Sequence, residues 1–330
     1  MSEPAAAAHM EYRLLGNSGI RVSAVALGCW PIAGMTSAGV TDRDSLATLE
    51  ACFELGINFL DTAYAYGMQG ESERLIAQAL AGRRDQMVIA TKGGIHWQPG
   101  RKQMLDARPE TLVRECEESL IRLRTDHVDL LYLHAPDPQT PLAESAGALA
   151  ELCRQGKTRA VGVSNVSLDQ LREFAGVCPI AAFQPAYNML DRSIEHDALP
   201  WCRERNIAVV VYWPLVKGLL AGGLARDHVF PTTDSRHKYP MFLGGEYQRN
   251  LDLVDQLRPI AAECGRSVAQ LVINWTIHQP GITSALCGAK RPDQIRENAL
   301  GAGWQLTPDQ LARVDSALAA RGHAASRMPV

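Results

Sequence analysis

The sequence carries no Lys/Arg-rich run, and its 33 basic and 36 acidic side chains leave a net charge of −3. A nucleic-acid or anionic-membrane partner calls for a basic patch or stripe, so neither is expected. No apolar stretch reaches membrane-spanning length: "IAVVVYWPLV", residues 207–216, falls well short of the ~18 residues a span needs. The eight cysteines (Cys29, Cys52, Cys116, Cys153, Cys178, Cys202, Cys264 and Cys287) include no C-x-x-C pair. Most sit in apolar helix or strand patterns, where Cys acts as a small hydrophobe. A reduced, cytoplasmic setting is the simplest reading. No H-x-H occurs, and metal-dependent barrel hydrolases need several converging His and carboxylate ligands, so no metal site is expected. The opening "MSEPAAAAHM" has an acid at Glu3 and no apolar core behind a basic start, so residues 1–10 read as a disordered leader rather than a signal peptide. G-x-G-x-x-G, the mark of a doubly wound dinucleotide-binding sheet, is absent; the early "LGNSGI" lies before the first strand, as a hairpin turn would.

What is present is alternation. Short β-rich apolar runs are each followed by a longer amphipathic segment: "VSAVALG", "INFLD", "MVIATK", "VDLLYLH", "RAVGVS", "AAFQPAY", "IAVVVYW" and "ITSALCG" lead into helical patterns such as "TDRDSLATLEACFELG", with Thr41 or Asp42 as N-cap and Gly56 as stop. Such β-then-α units predict a parallel sheet covered on both faces, and eight of them close as a (β/α)8 TIM barrel. Residues 11–330 are expected to form one barrel domain with an N-terminal β-hairpin and an extra C-terminal helix starting near Pro308. The irregular stretch 218–247, rich in Gly, Pro and charge, is expected to include a loop that folds over the site.

In a parallel barrel the C-terminal strand ends open onto one face, where active sites lie. "INFLD" ends on Asp61 with Tyr66 five residues on, "MVIATK" ends on Lys92 before "GG", and "VDLLYLH" ends on His134. An Asp alone would be an ordinary turn residue, but three ionisable residues closing consecutive strands converge on one mouth. The chemistry such a set suits is proton delivery near neutral pH. A tyrosine hydroxyl titrates near 10, and an adjacent ammonium stabilises its phenolate. A carboxylate paired with that ammonium keeps it charged and oriented. A histidine can hold the substrate oxygen or relay a proton. Tyr64, by contrast, reads as packing.

"NFLDTAYAYG", "VIATKGG", "VDLLYLHAPD", "AVGVSN", "FQPAYNML" and "GAKRPDQIRENA", with the opening "YRLLGNSGIRVSAVALG", together resemble the aldo-keto reductase superfamily, its bacterial-type and potassium-channel-β-like branch, in order from Tyr12 to about Ala320. The resemblance implies a (β/α)8 barrel, a nicotinamide cofactor across its C-terminal face, and a catalytic tetrad of Asp61, Tyr66, Lys92 and His134. It places Ser164, Asn165 and Gln184 on the nicotinamide carboxamide and Tyr212 stacked on the nicotinamide ring. Turn and core amides are the plain alternatives for the first three. It counts Trp213, Leu215 and Gly218 among the cofactor-binding residues, Trp213 at a position that usually touches the pyrophosphate, and sets the adenosine end on the segment with Gly288, Lys290, Arg291, Gln294, Glu297 and Asn298. Basic residues at a helix start are disfavoured by the helix dipole unless an anion offsets them, so Lys290 and Arg291 suit a 2′-phosphate and NADP(H).

Two residues depart from the family pattern: Trp213 replaces a common serine, and Gly223 stands where a lysine is frequent. Lys217, Arg236 and Lys238 are candidates to neutralise the pyrophosphate instead. Trp30, His96 and Trp97 are expected to rim the mouth and favour an apolar or ring-bearing carbonyl. The expected activity is NADPH-dependent reduction of an aldehyde or ketone. Its alternatives are sugar or alcohol dehydrogenation by the same site in reverse, or a non-catalytic NADP-binding regulatory subunit. Partners are small carbonyl or alcohol/sugar substrates; the oligomeric state stays open, a homo-oligomer included.

Overall fold

A computed structural model describes residues 9–34, 39–232 and 234–325. Residues 1–8 of the expected leader lie outside the described residues, and Met10 at its end is buried in the core. The strands are β1 (Tyr12–Leu14), β2 (Arg21–Ser23), β3 (Val25–Gly28), β4 (Phe59–Asp61), β5 (Val88–Gly93), β6 (Ile95–Gln98), β7 (Lys102–Leu105), β8 (Leu130–Leu133), β9 (Val161–Ser164), β10 (Ala182–Gln184), β11 (Ala208–Tyr212) and β12 (Ile282–Gly288). The helices are α1 (Asp42–Glu54), α2 (Glu71–Ala79), α3 (Pro109–Leu123), α4 (Leu142–Arg154), α5 (Leu168–Val177), α6 (Ala198–Glu204), α7 (Gly244–Glu263), α8 (Val268–Ile277), α9 (Pro292–Ala299) and α10 (Pro308–Arg321).

Strands β3, β4, β5, β8, β9, β10, β11 and β12 pair in parallel and close into a barrel, with helices outside. Local sequence sets the helix starts. Thr41 caps α1 by accepting from the Asp44 N–H, and Gly56 behind it takes a left-handed φ of 69°. Ser167, Ser267 and Thr307 each form a reciprocal capping box with a glutamine three residues on. Among the described residues, no helix is long and apolar enough to cross a membrane.

Inward-facing residues recur every second position, and one buried cluster joins Phe59, Val88, Ala90, Leu130, Tyr132, Ala160, Ala182, Ala208, Val210 and Leu286 inside the barrel. The same cluster contains Leu15, Ile20 and Val22, so the β1–β2 hairpin plugs the end opposite the mouth. Its turn is tight there: a side chain at Gly16 would sit 2.4 Å from the Ala181 carbonyl oxygen. Higher up, Gly162 is the space for Tyr132, whose ring would lie 2.4 Å from any Cβ at that position.

The segment after β5 differs from expectation. Residues read as loop form a second antiparallel hairpin, β6–β7, pairing Ile95 with Leu105 and Gln98 with Lys102. Pro99 and Gly100 turn it, with positive φ at Gly100 and Arg101.

Candidate active site

Continuing each inward row by two residues leads to the mouth. Phe59 leads to Asp61, Val88 and Ala90 to Lys92, Leu130 and Tyr132 to His134, Ala182 to Gln184, and Val210 to Tyr212. The expected strand-end residues are therefore the top layer of the barrel interior. Asp61 and Lys92 are both about 1% exposed. The Lys92 ammonium donates to Asp61 Oδ1 at 2.5 Å, to the Thr62 carbonyl at 2.8 Å and to the Tyr66 hydroxyl at 3.3 Å. Gln184, across the mouth, donates from Nε2 to the other Asp61 oxygen at 2.8 Å. The Tyr66 ring meets Trp30 edge-on at 5.0 Å and His134 at 5.9 Å between centroids. The buried Nδ1 of His134 has no hydrogen-bond partner within the described chain.

Burial drives the titration of this group. It lifts Asp61 above the usual carboxylate range, with Lys92 and Gln184 pulling the other way. Burial also works against the Lys92 cation, but Asp61 and Tyr66 outweigh it and raise Lys92 above its ordinary value. Burial, with Lys92 adding to it, holds His134 well below an ordinary imidazole, so it is neutral near pH 7. The expectation of a lowered Tyr66 needs correction. Lys92 does pull it down, yet burial is the larger effect and Tyr66 is raised. Its hydroxyl therefore keeps its proton at rest, beside a cation that would stabilise the anion left by its loss.

The residues expected around the cofactor are joined to one another. Asn165, left-handed at φ 58°, donates to the His134 carbonyl at 2.8 Å and accepts from the Tyr212 hydroxyl at 2.8 Å. The Ser164 hydroxyl donates to the Gln184 carbonyl at 2.8 Å. Beyond β11 the backbone turns left-handed at Trp213, Val216, Lys217 and Gly218, around Leu215. For a β-branched residue such as Val216 this is a true outlier, of the kind that collects at ligand clamps.

Of the three candidate pyrophosphate cations, Arg236 is already forked onto Asp234, with Nη2 at 2.6 Å from Oδ2, so its charge is balanced within the chain. Lys217 donates to the Ser235 hydroxyl at 3.2 Å and lies over the rings of Trp213 and Tyr239. Lys238 is exposed. On the neighbouring strand, Gly288 ends β12, and Lys290 and Arg291 lead into α9. The Lys290 N–H donates to Gln294 Oε1 at 2.9 Å, and Arg291 pairs with Asp293 at 3.2 Å. Glu297 holds the Ser267 hydroxyl and Gln270, and Asn298 reaches the Gly288 carbonyl, so these two brace α9 within the protein.

Two of the expected rim residues stand at the mouth. Trp30 packs on Tyr66, and Trp97 donates from its indole to the Ala65 carbonyl at 2.8 Å. His96 does not; one position along β6, it turns to the other face and meets Glu115 of α3 at 2.9 Å. Tyr64 also turns outward, to Glu118 and Arg122. Glu115 was missed by reading the sequence. Its signal was there: a carboxylate among Leu112, Cys116, Ser119 and Leu120 on the buried face of an amphipathic helix.

The donor set fits a nicotinamide dinucleotide. Partly buried amides and an aromatic close one side of the tetrad, a left-handed run of backbone follows β11, and a basic helix start follows the neighbouring β12.

Comparison with known proteins agrees with this geometry. The Aldo/keto reductase family model matches residues 24–319. The chain is 36% identical to aldo-keto reductase YhdN of Bacillus subtilis, over 94% of each protein. It is 35% identical to the NADH-specific methylglyoxal reductase of Escherichia coli, over 86% of this chain and 91% of that one. Among solved structures, the glycerol dehydrogenase AKR11B4 of Gluconobacter oxydans superposes with a TM-score of 0.88 at 36% identity, covering 97% of this chain and 98% of that one. A barrel whose mouth layer is Asp61, Lys92, His134 and Gln184, matched by a family model over most of its length, belongs to the aldo/keto reductase family, and the protein is an oxidoreductase.

Proposed function

We propose that the chain reduces an aldehyde or ketone to the alcohol, with Tyr66 as general acid and NADPH as the preferred cofactor. The observation that carries this is Lys92 bridging Asp61 and the Tyr66 hydroxyl in a buried site. When bound, the nicotinamide supplies or accepts a hydride. The protein's own part is proton and charge management. Tyr66 gives its hydroxyl proton to the carbonyl oxygen. The phenolate left behind faces the Lys92 ammonium, which Asp61 and Gln184 hold in place. His134, neutral and edge-on to the Tyr66 ring, offers the substrate oxygen a hydrogen bond without competing as an acid. Trp30 and Trp97 beside Tyr66 limit water and favour apolar or ring-bearing substrates.

Ser164, Asn165, Gln184 and Tyr212 would hold the nicotinamide end, and the left-handed run from Trp213 to Gly218 the pyrophosphate. Lys290 is the main basis for preferring NADPH, because Arg291 already shares its charge with Asp293. One relative is named as NADH-specific, so the family includes enzymes of the other cofactor preference.

A second reading, alcohol or polyol oxidation, uses the same groups in reverse and is favoured by the likeness to a glycerol dehydrogenase. We also read residues 11–330 as one barrel domain working in a reducing cytoplasm, consistent with eight free cysteines, six of them buried. The test is an NADPH- and NADH-oxidation screen over aldehydes, ketones and sugars, with NADP+- and NAD+-linked oxidation of the matching alcohols alongside. Carbonyl reduction faster with NADPH supports the first reading, and oxidation alone the second. No turnover in either direction points to a cofactor-binding subunit.

A further inference from the structure

Glu115 is a buried titratable group that the chemistry above does not use. It lies on the barrel-facing side of α3, and its side chain has no exposed surface. One carboxyl oxygen, Oε2, accepts from the Gly94 N–H at 2.7 Å. The other, Oε1, faces His96 Nδ1 at 2.9 Å. Gly93 and Gly94 directly follow Lys92, and the Gly94 N–H faces this carboxyl. A Cβ on Gly93 would meet Glu115 Oε2 at 3.5 Å, and Gly94 takes a φ of 97°. Glu115 thus pins both the end of β5 and the start of the β6–β7 hairpin to α3.

The hairpin's other face reaches the site. Ile95 and Trp97 point away from Glu115 and pack with Ala65, Ala135 and Leu105. The Trp97 indole donates to the carbonyl of Ala65, the residue before Tyr66. A continuous path therefore runs from Glu115 through His96 and Trp97 to the Tyr66 loop.

We propose that Glu115 and His96 are positioning residues: a hydrogen-bonded carboxyl–imidazole dyad that holds the Trp97 hairpin against Ala65 and so fixes the proton donor Tyr66. This inference rests on the role assigned to Tyr66.

Counting hydrogens gives the dyad a pH signature. Gly94 N–H occupies Oε2, so the remaining contact is Oε1 against Nδ1. It forms with one hydrogen between them, whether as O–H···N, as O⁻···H–N⁺, or as carboxylate with the neutral Nδ1–H tautomer. With both groups protonated, two hydrogens face each other and the contact breaks. The charged groups facing Glu115 are Arg114 and Glu118 on its own helix, Asp106 in the link after β7, and His96 on β6; β5 offers it the backbone of Gly93 and Gly94. Burial pushes Glu115 up to about 8, which places its own ionisation within reach of a pH profile.

The test uses the full chain with the carbonyl and cofactor on which the parent turns over fastest, measured from pH 5 to 9, with melting curves over the same range. Glu115→Ala and Trp97→Phe should each lower kcat about tenfold, modest against the ~100-fold that a 1 Å misplacement can reach. The KM for the cofactor should stay within about twofold. The double variant should be no worse than either alone, because both cut one path. Glu115→Gln keeps an acceptor for Gly94 and a donor for His96, so its kcat at pH 8 should stay within about twofold of the parent. It cannot ionise, so the inflection that Glu115 gives the parent's profile near pH 8 should be absent from its own. If Glu115→Ala does not fold, the Glu115→Gln profile and Trp97→Phe still decide. A Glu115→Gln profile that overlays the parent's, or losses that multiply in the double variant, would overturn the proposal. A Tyr66→Phe control run alongside separates failure of the dyad from failure of the proton-donor assignment.

Discussion

Lys92 sits at the centre of the site, sharing one buried ammonium among Asp61, the Thr62 carbonyl and Tyr66. Lys92→Met should therefore act twice. It leaves Asp61 buried with only Gln184 as partner, and breaking such a pair costs about 3–5 kcal/mol. It also removes the charge that stabilises the Tyr66 phenolate. We expect a clear drop in melting temperature and a loss of carbonyl reduction at least as large as that of Tyr66→Phe. A Lys92→Met protein that melts like the parent and turns over normally would refute the pairing. Asp61, Lys92 and His134 could be found from sequence because each carries a charge or a proton where an apolar strand stops, and strand parity then fixes that they face inward. Gln184 looked like a carboxamide ligand, and its bond to Asp61 across the mouth was not legible. β4 and β10 are not neighbours in the barrel, so no local pattern links them.

At the scale of elements, α3 carries the protein's most testable pH dependence. Glu115 is held up to about 8 by burial, against an ordinary value of 4.5. The folded protein keeps this proton over a range in which the unfolded chain has lost it. Its contribution to stability is thus fully present below about pH 4.5 and is lost as pH rises to about 8. Each pH unit in that window is at most about 1.4 kcal/mol. Glu115→Gln, which does not ionise, should flatten the fall in melting temperature between pH 5 and 8 relative to the parent. Parallel curves would show that Glu115 ionises normally. The helices themselves were readable from periodicity and caps, as Thr41 with α1 and Pro109 at the start of α3 show. The β6–β7 hairpin was not. It covers only the mouth, its strands have four residues each, and the alternation in "IHWQ" is too short to stand out beside the barrel strands. Missing it put His96 at the rim, whereas the pleat turns it toward Glu115.

Across the whole molecule, the barrel brings the basic start of α9 and the tetrad to one face from distant parts of the chain. On the proposed reading, cofactor choice would rest on Lys290, with Arg291 contributing less because of Asp293. A partly exposed charge-assisted contact to a 2′-phosphate should favour NADPH over NADH roughly tenfold. Replacing both residues by Ala should remove that preference, leave NADH affinity nearly unchanged, and make the remaining affinities less sensitive to salt. Fluorescence titration with each cofactor measures this, and equal weakening for both would mean the pair is only a solvated helix start. The central claim is that a cofactor-binding barrel becomes a reductase through one tuned hydroxyl. The most direct measurement compares parent and Tyr66→Phe for cofactor dissociation constant and for kcat of carbonyl reduction. An unchanged dissociation constant with kcat lowered by about 10²–10⁴-fold is the predicted result; a Tyr66→Phe enzyme that reduces its carbonyl within about twofold of the parent rate would contradict the account.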